Sequence, residues 1–327
     1  MCRSRVVDLV QFPRLERHAS SAPSVTTALT VICDVVGAAT VLMTLRDILK
    51  ELFHPGGSGS LSKQLQRMVW RAYRRAARHR PDRLPTAGPM ALVGVLLMWT
   101  VLLAVGWALI FWPYLPAAFR FSTPLHPARQ TSFGDALYFS LVALTTLGYG
   151  DITPTRLLLR FLVPVEAGLG AGVLTAGISW TLSLYPVLSR RRALAERVLL
   201  LRRAEERTGI DLLAQDPQIV TTVLGDLAGA LAQVRVDLGQ SDISYSFYDQ
   251  RTLVAMPVAL PVLLRLARSA GAAGRPDAVR LAAVALEESV CQYAETVRAN
   301  HLRIGDRPVD ELLARYAADH MHEILPV

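Results

Sequence analysis

The sequence predicts an all-α membrane protein: three membrane-spanning helices, a short helix and irregular loop between the second and third, and an α-helical domain after the last. Three observations carry that prediction. Hydrophobic residues make up 52% of the 327-residue chain and its mean hydropathy is positive, which is high for a soluble chain of this size. Three apolar runs reach the roughly 20 residues that a helix needs to cross hydrocarbon. The arginines gather beside those runs, so the formal net charge of +8 points to a membrane surface and not to nucleic acid. Cys2, Cys33 and Cys291 show no paired spacing, which indicates neither a disulfide framework nor a zinc site.

Residues 1–24 form a polar leader. The first apolar run, VTTALTVICDVVGAATVLMTL from Val25 to Leu45, is too long for the core of a cleaved signal and reads as a retained helix over 25–53. Asp34 lies near its middle. A carboxylate at that depth is costly, so Asp34 is expected to pair with a neighbouring subunit or with an arginine at the membrane edge.

HPGGSGS, from His54 to Ser60, opens a linker over 54–88. Arg67, Arg71, Arg74 and Arg78 then recur at spacings of four, three and four, on one face of a helix, with Met68, Val69, Trp70 and Tyr73 elsewhere around it. Such a helix is too charged to span and is expected to lie on anionic lipid headgroups over 67–83 rather than to sense voltage.

The second run, MALVGVLLMWTVLLAVGWALIFW, is uncharged, carries tryptophans toward its far end and predicts a helix over 89–113. The third, FLVPVEAGLGAGVLTAGISWTLSLYPVL, predicts a helix over 157–188 that Ser189 and three arginines close. Glu166 falls near the outer end of that run, where it is expected either to pair as Asp34 does or to be reached by water. Leu174, Ile178 and Leu182 recur every four residues as candidates to line a cavity. Gly168, Gly170, Gly172 and Gly177 are candidates for close helix packing, the expected role for most of these glycines. Pro186 is expected to bend the helix just below.

Lys50, Lys63 and the arginines from 67 to 83, with Arg190, Arg191 and Arg192, outweigh Arg120 and Arg129 in the loop after the second run. That bias predicts a multi-pass protein of the cell membrane with the linker and C-terminal domain cytoplasmic, and with 113–160 and the N-terminus outside. Arg3, Arg5, Arg14 and Arg17 in the leader oppose it mildly, and leave open a first segment that lies along or re-enters the membrane.

Between the second and third runs stands TSFGDALYFSLVALTTLGYGDITP, Thr131 to Pro154. It resembles the pore helix and selectivity filter of potassium channels, the group with two transmembrane helices around each pore loop, of the bacterial ion-channel type and with a pore module like that of two-pore-domain channels. The resemblance implies a pore helix over 133–145, a filter over 146–151 (Thr146, Leu147, Gly148, Tyr149, Gly150 and Asp151), and potassium as the transported ion with no further cofactor. It also implies coordination by the carbonyls of Thr146, Leu147, Gly148 and Tyr149, with the Thr146 hydroxyl at the inner end and the Tyr149 ring packed outward. The chain has one such loop, so four copies are needed to ring an ion. Leu147 replaces the commoner valine, Val142 stands where the family often has a carboxylate, and Gly170 stands where the resemblance implies an inner-helix hinge. The aromatic pair Tyr138 and Phe139 leaves Tyr138 as the expected partner of Asp151.

The residue types fit that task physically. A cation in an apolar membrane loses hydration worth roughly tens of kcal/mol, so the wall must offer oxygen instead. A strand alternates its carbonyls, whereas a backbone alternating left- and right-handed residues aligns them, and glycine adopts the left-handed positions freely. Gly148 and Gly150 meet that need.

Beyond Arg192 the composition turns to Ala, Leu, Arg and Glu with helical periodicity, and 189–327 reads as a helical domain. Ala193 to Arg207 extends the third span. Ile219, Val223, Leu227, Leu231 and Val234 mark one apolar face, and Val284, Leu286, Val290, Tyr293 and Val297 another. Asp277 after Pro276, and Pro308, suit helix starts. LVAMPVALPVLL, Leu253 to Leu264, is too short to span and reads as core. No strand precedes a GxGxxG, and His301, His320, His322, Glu287, Glu288 and Cys291 form no metal signature, so an enzymatic tail is not expected. A ligand- or partner-sensing domain and an assembly domain stay open. The function so read is a potassium channel gated by its cytoplasmic domain and not by voltage. Its partners would be three further copies, anionic lipids, an unknown cytoplasmic ligand and no nucleic acid. A membrane-anchored sensor or scaffold with a vestigial pore and a partner-binding tail is the alternative, against which the intact TLGYGD stands.

Overall fold

The computed structural model describes residues 25–53, 59–77, 79–122, 132–302 and 304–323. The leader, most of HPGGSGS, Arg78, Arg129 and Thr131 lie outside these residues, and so do the readings made of them. Nine α-helices are described: α1 (Val25–Phe53), α2 (Ser60–Ala77), α3 (Ala87–Phe111), α4 (Phe133–Leu144), α5 (Leu157–Thr208), α6 (Pro217–Gln240), α7 (Met256–Ala270), α8 (Asp277–Val297) and α9 (Val309–Asp319). A two-stranded antiparallel ribbon, β1 (Phe119–Phe121) and β2 (Ile152–Pro154), was not expected from the sequence. The chain is thus an all-α membrane protein with one short ribbon.

Among the described residues, four helices are long and apolar enough to cross a membrane: α1, α3, α5 and α6. The addition to the three apolar runs is α6, which buries Val220, Leu224, Leu227, Leu231, Val234 and Leu238 in the core of the C-terminal helices. The face read from the sequence is therefore shifted, since Ile219 is exposed, and so is Val284 on α8, where Val279, Ala283, Leu286, Val290, Tyr293 and Val297 turn inward. Both helices carry apolar residues on more than one side. LVAMPVALPVLL supplies the buried face of α7, including Met256, Leu260, Leu263 and Leu264.

Helix α1 lies along α3 at very short range. A β-carbon on Gly37 would stand 2.6 Å from the Gly106 carbonyl oxygen, and one on Gly106 would stand 2.8 Å from Val41, so only glycine lets the two backbones meet this way. The buried Asp47, near the end of α1, accepts from the amides of Leu61 and Ser62 at 2.9 and 3.2 Å and from the Trp99 indole at 3.1 Å. Glu51 accepts from the Gly59 amide at 2.8 Å. Carboxylates of one helix thus satisfy the open N-terminal amides of the next and favour its dipole. These bonds hold α2 against α1 and α3.

The basic helix is consequently not laid wholly on a headgroup surface. Its buried Trp70 donates to Asp319 at 2.8 Å, Arg74 pairs with the same carboxylate, and Lys63 pairs with Asp242 at 2.9 Å. Two of its cations therefore face carboxylates of the C-terminal helices.

Helix α5 runs unbroken for 52 residues and stops at Gly209, whose φ of +68° and amide bond to the Glu205 carbonyl form a left-handed cap. Its second half buries Leu194, Ala195, Val198 and Leu199 among the C-terminal helices. The arginines that mark the end of the span also hold it there. Arg190 grips Asp237 through two bonds of 2.7 and 2.9 Å, and Arg192 reaches Asp249 at 2.6 Å. Arg191, itself buried, donates to Asp249 at 2.8 Å and to the carbonyls of Ser244 and Phe247. A buried guanidinium is tolerable only because those acceptors surround it.

His320 packs in the same core, its Nε2 donating to the Tyr245 carbonyl at 3.0 Å. Burial, together with the nearby Arg191 and His322, pushes the ring down from the ordinary histidine range to about 3. The ring is neutral in the folded chain, while unfolded chain takes up the proton below about 6.5. This contribution to stability is complete above that value and is lost as pH falls toward 3. Between pH 7 and pH 5 it should fall by about 2 kcal/mol. His320→Gln keeps the donor without the titration, so its melting temperature should fall less over that range than the wild type's; equal slopes would refute the assignment.

Candidate functional site

Helix α4 begins at a capping box. The Ser132 side chain accepts from the Asp135 amide, and Asp135 accepts in return from the Ser132 amide at 3.0 Å. The helix ends at Leu144, and the chain then rises through TLGYGD in an alternating backbone: φ is +58° at Thr146, +55° at Gly148 and +73° at Gly150. Nothing lies within 4 Å of a β-carbon added at either glycine, so glycine is needed there for conformation and not for space. The filter reading included Thr146, but its positive φ was not expected, because a β-branched side chain rarely takes it.

The amides of this segment point back to the helix. Val142 accepts from Leu147 and Gly148 at 3.0 and 3.3 Å, and Ala143 from Thr146 at 2.9 Å, so the open carbonyls at the end of α4 are satisfied by the loop itself. Among the described residues, nothing donates to the carbonyls of Thr146, Leu147, Gly148 or Tyr149. Four consecutive acceptors are left available for another partner.

The far end of the segment is pinned. Tyr138 donates to Asp151 at 2.8 Å, the pair expected from the sequence, and the Asp151 carbonyl accepts from the Ser122 amide at 2.9 Å. The ribbon continues from there, pairing Phe121 with Ile152 and Phe119 with Pro154, and ties the exit of the loop to the end of α3.

The near end rests on α5. A β-carbon on Gly170 would stand 1.8 Å from the Leu144 carbonyl oxygen, so this glycine is a close-packing position in an uninterrupted helix. Below it a cavity of about 570 Å³ opens, lined by Gly170, Leu174, Ile178 and Leu182 together with Thr146 and Tyr185. All four candidate hinge or lining residues therefore meet in one place.

Two carboxylates differ from expectation. Glu166 has no exposed surface; it sits behind α4 within hydrogen-bond distance of Ser140, whose hydroxyl is also 3.0 Å from the Ala104 carbonyl. Its position along the span suggested water, but α4 covers it. The serine and glutamate thereby join α3, α4 and α5. Asp34 accepts from the Tyr114 hydroxyl at 2.8 Å, and no arginine among the described residues pairs with it.

Gly170→Ala should lower stability by roughly 1–3 kcal/mol or more, as overpacking does when backbone cannot yield. Gly168→Ala and Gly172→Ala meet no atom within 4 Å in the chain and serve as controls. Thermal unfolding in detergent would measure this, and equal melting temperatures for all three would contradict the close approach.

Residues 94–184, from within α3 through the first half of α5, match a family model described as "Ion channel". A stretch of 156 residues, 46% of the chain, is 28% identical to the protein named "Uncharacterized membrane protein YdjJ" of Bacillus subtilis (strain 168). That stretch corresponds to 43% of the Bacillus protein, less than half its length. No solved structure matches the chain. The chain is a multi-pass membrane protein whose segment carrying α4 and TLGYGD is similar to ion channels.

Proposed function

We propose that the protein conducts potassium passively and selectively through a fourfold pore, with Thr146 to Asp151 as its filter. The observation that carries this reading is the alternation of positive φ at 146, 148 and 150 combined with four carbonyls that nothing in the described chain engages. Carbonyls so arranged replace a hydration shell. The C-terminal end of α4 adds partial negative charge toward the cavity.

Assembly of four copies is supported by what one chain leaves uncovered. Leu147 and Tyr149 are 56% and 66% exposed, and Leu174, Ile178, Leu182 and Tyr185 are open along one side of α5. Neighbouring copies around an axis would cover part of this surface, and the rest would line the conduction path. We place the C-terminal helices in the cytoplasm on the arginine bias.

In liposomes the purified protein should pass potassium and exclude sodium, and its native mass in detergent should be that of four chains. Gly150→Ala should abolish the selective flux, because a left-handed L-residue costs roughly 1–2 kcal/mol in each chain. Equal passage of both ions, or unchanged selectivity in the variant, would defeat the reading.

Gating is proposed to pass from the C-terminal helices through α5. The buried Arg191 and its neighbour Arg192 depend on Asp249, so Asp249→Asn should change open probability in planar bilayers while leaving potassium selectivity intact. Gating indistinguishable from the wild type would argue against this route.

A further inference from the structure

A second pocket, of about 190 Å³, lies between α2 and the C-terminal helices. One wall is the face of α2 bearing Lys63, Arg67, Arg71 and Arg74; the other is formed by Asp242, Tyr245, Ser246, Asn300, His301 and Asp319. The pairing within it is uneven. Lys63 is matched by Asp242 and Arg74 by Asp319, whereas no carboxylate among the described residues pairs with Arg67 or Arg71. Arg67 uses only its Nε, on the Lys63 carbonyl at 3.0 Å, which leaves its terminal nitrogens for another acceptor. Two unmatched cations one helical turn apart repel each other.

The opposite wall combines paired groups, among them His301 beside Asp242 at 3.1 Å, with one irregular turn. Asn300 and His301 belong to a single π-helical turn, Arg298–Leu302, at the end of α8, and such turns concentrate at functional positions. The His301 ring lies flat on Tyr245, with centroids 3.9 Å apart and planes 4° from parallel, so the imidazole is held in place. The side-chain amide of Asn300 can donate beside the two guanidinium groups.

We propose that this pocket binds a phosphate monoester group, with Arg67 and Arg71 as its principal ligands and Asn300 as an additional donor. The surplus of two positive charges matches the charge of about −1.5 to −2 that a phosphate monoester carries near neutral pH. Guanidinium groups suit it through paired, charge-assisted bonds. Because α2 is held to α1 and α3 through Asp47 and the far wall belongs to the C-terminal helices, an occupant joins the two parts of the molecule. The monoester can come from a soluble metabolite or from a lipid headgroup at the membrane surface. The site stands whether or not the pore selects potassium, since its test reads binding and not flux.

The test uses the full-length protein. In detergent, inorganic phosphate should raise the melting temperature above that in chloride of equal ionic strength if the source is soluble. If the source is lipid, discs containing phosphatidic acid should stabilise the protein relative to discs containing phosphatidylserine, while inorganic phosphate has little effect. Either result supports the site, provided that the double variant Arg67→Gln/Arg71→Gln weakens the response about tenfold or more, the scale expected for lost charge-assisted bonds. Arg75→Gln, at an exposed position outside the pocket, should leave it unchanged. Should the double variant fail to fold, Asn300→Asp places a carboxylate in the pocket and should remove the response by itself. No stabilisation by either probe, or an equal loss in Arg75→Gln, would overturn the proposal.

Discussion

Carbonyls without donors at membrane depth persist only where protein holds them rigidly. Here the holding begins where Leu144 meets Gly170. The carbonyl of the last α4 residue lies so close to α5 that no side chain fits between them. That contact sets the height of α4 against α5, and the height of α4 sets where the Val142 and Ala143 carbonyls receive the loop amides. The orientation of the next four carbonyls follows. Ser140 with Glu166 fixes the rotation of α4 about its axis, and Tyr138 with Asp151 fixes where the loop leaves.

Much of this was legible in the sequence, for physical reasons. Long uncharged runs announce α3 and the first half of α5, because lipid imposes length and apolarity together. Glycines at 148 and 150 announce left-handed backbone, since other residues pay sterically for it. Thr146 was read as part of the filter, but its left-handed backbone was not, because nothing in a threonine signals positive φ; its amide is held by the Ala143 carbonyl. The ribbon escaped because strands of three residues are too short to show alternation.

Other features depend on partners distant in sequence. Position along a span suggests how near Glu166 is to water, but only the fold shows that α4 lies over it. A row of arginines fits lipid phosphates and protein carboxylates equally well, and Asp319 decides the matter for Arg74. At the start of α6 the sequence reading took Ile219 for the buried position held by Val220, because neighbouring positions are both apolar and packing alone distinguishes them. Arg190, Arg191 and Arg192 were read as a topological signal. They are also the clasp between α5 and the C-terminal helices, two roles that one cluster of charge can hold together.

Asp319 receives the Trp70 indole, the Arg74 guanidinium and the Tyr245 hydroxyl on a single carboxylate at the end of α9. Residues 249 apart in the chain are thereby joined, so the polypeptide forms a closed mechanical loop. The C-terminal part grasps the membrane part through α5, through α2, which hangs on α1 and α3, and through Phe247, which lies against Gly88 at the start of α3. A body held at one point can only be pulled. Held at several points, it can be wrung, and rotation of the C-terminal helices would become torque between α3 and α5.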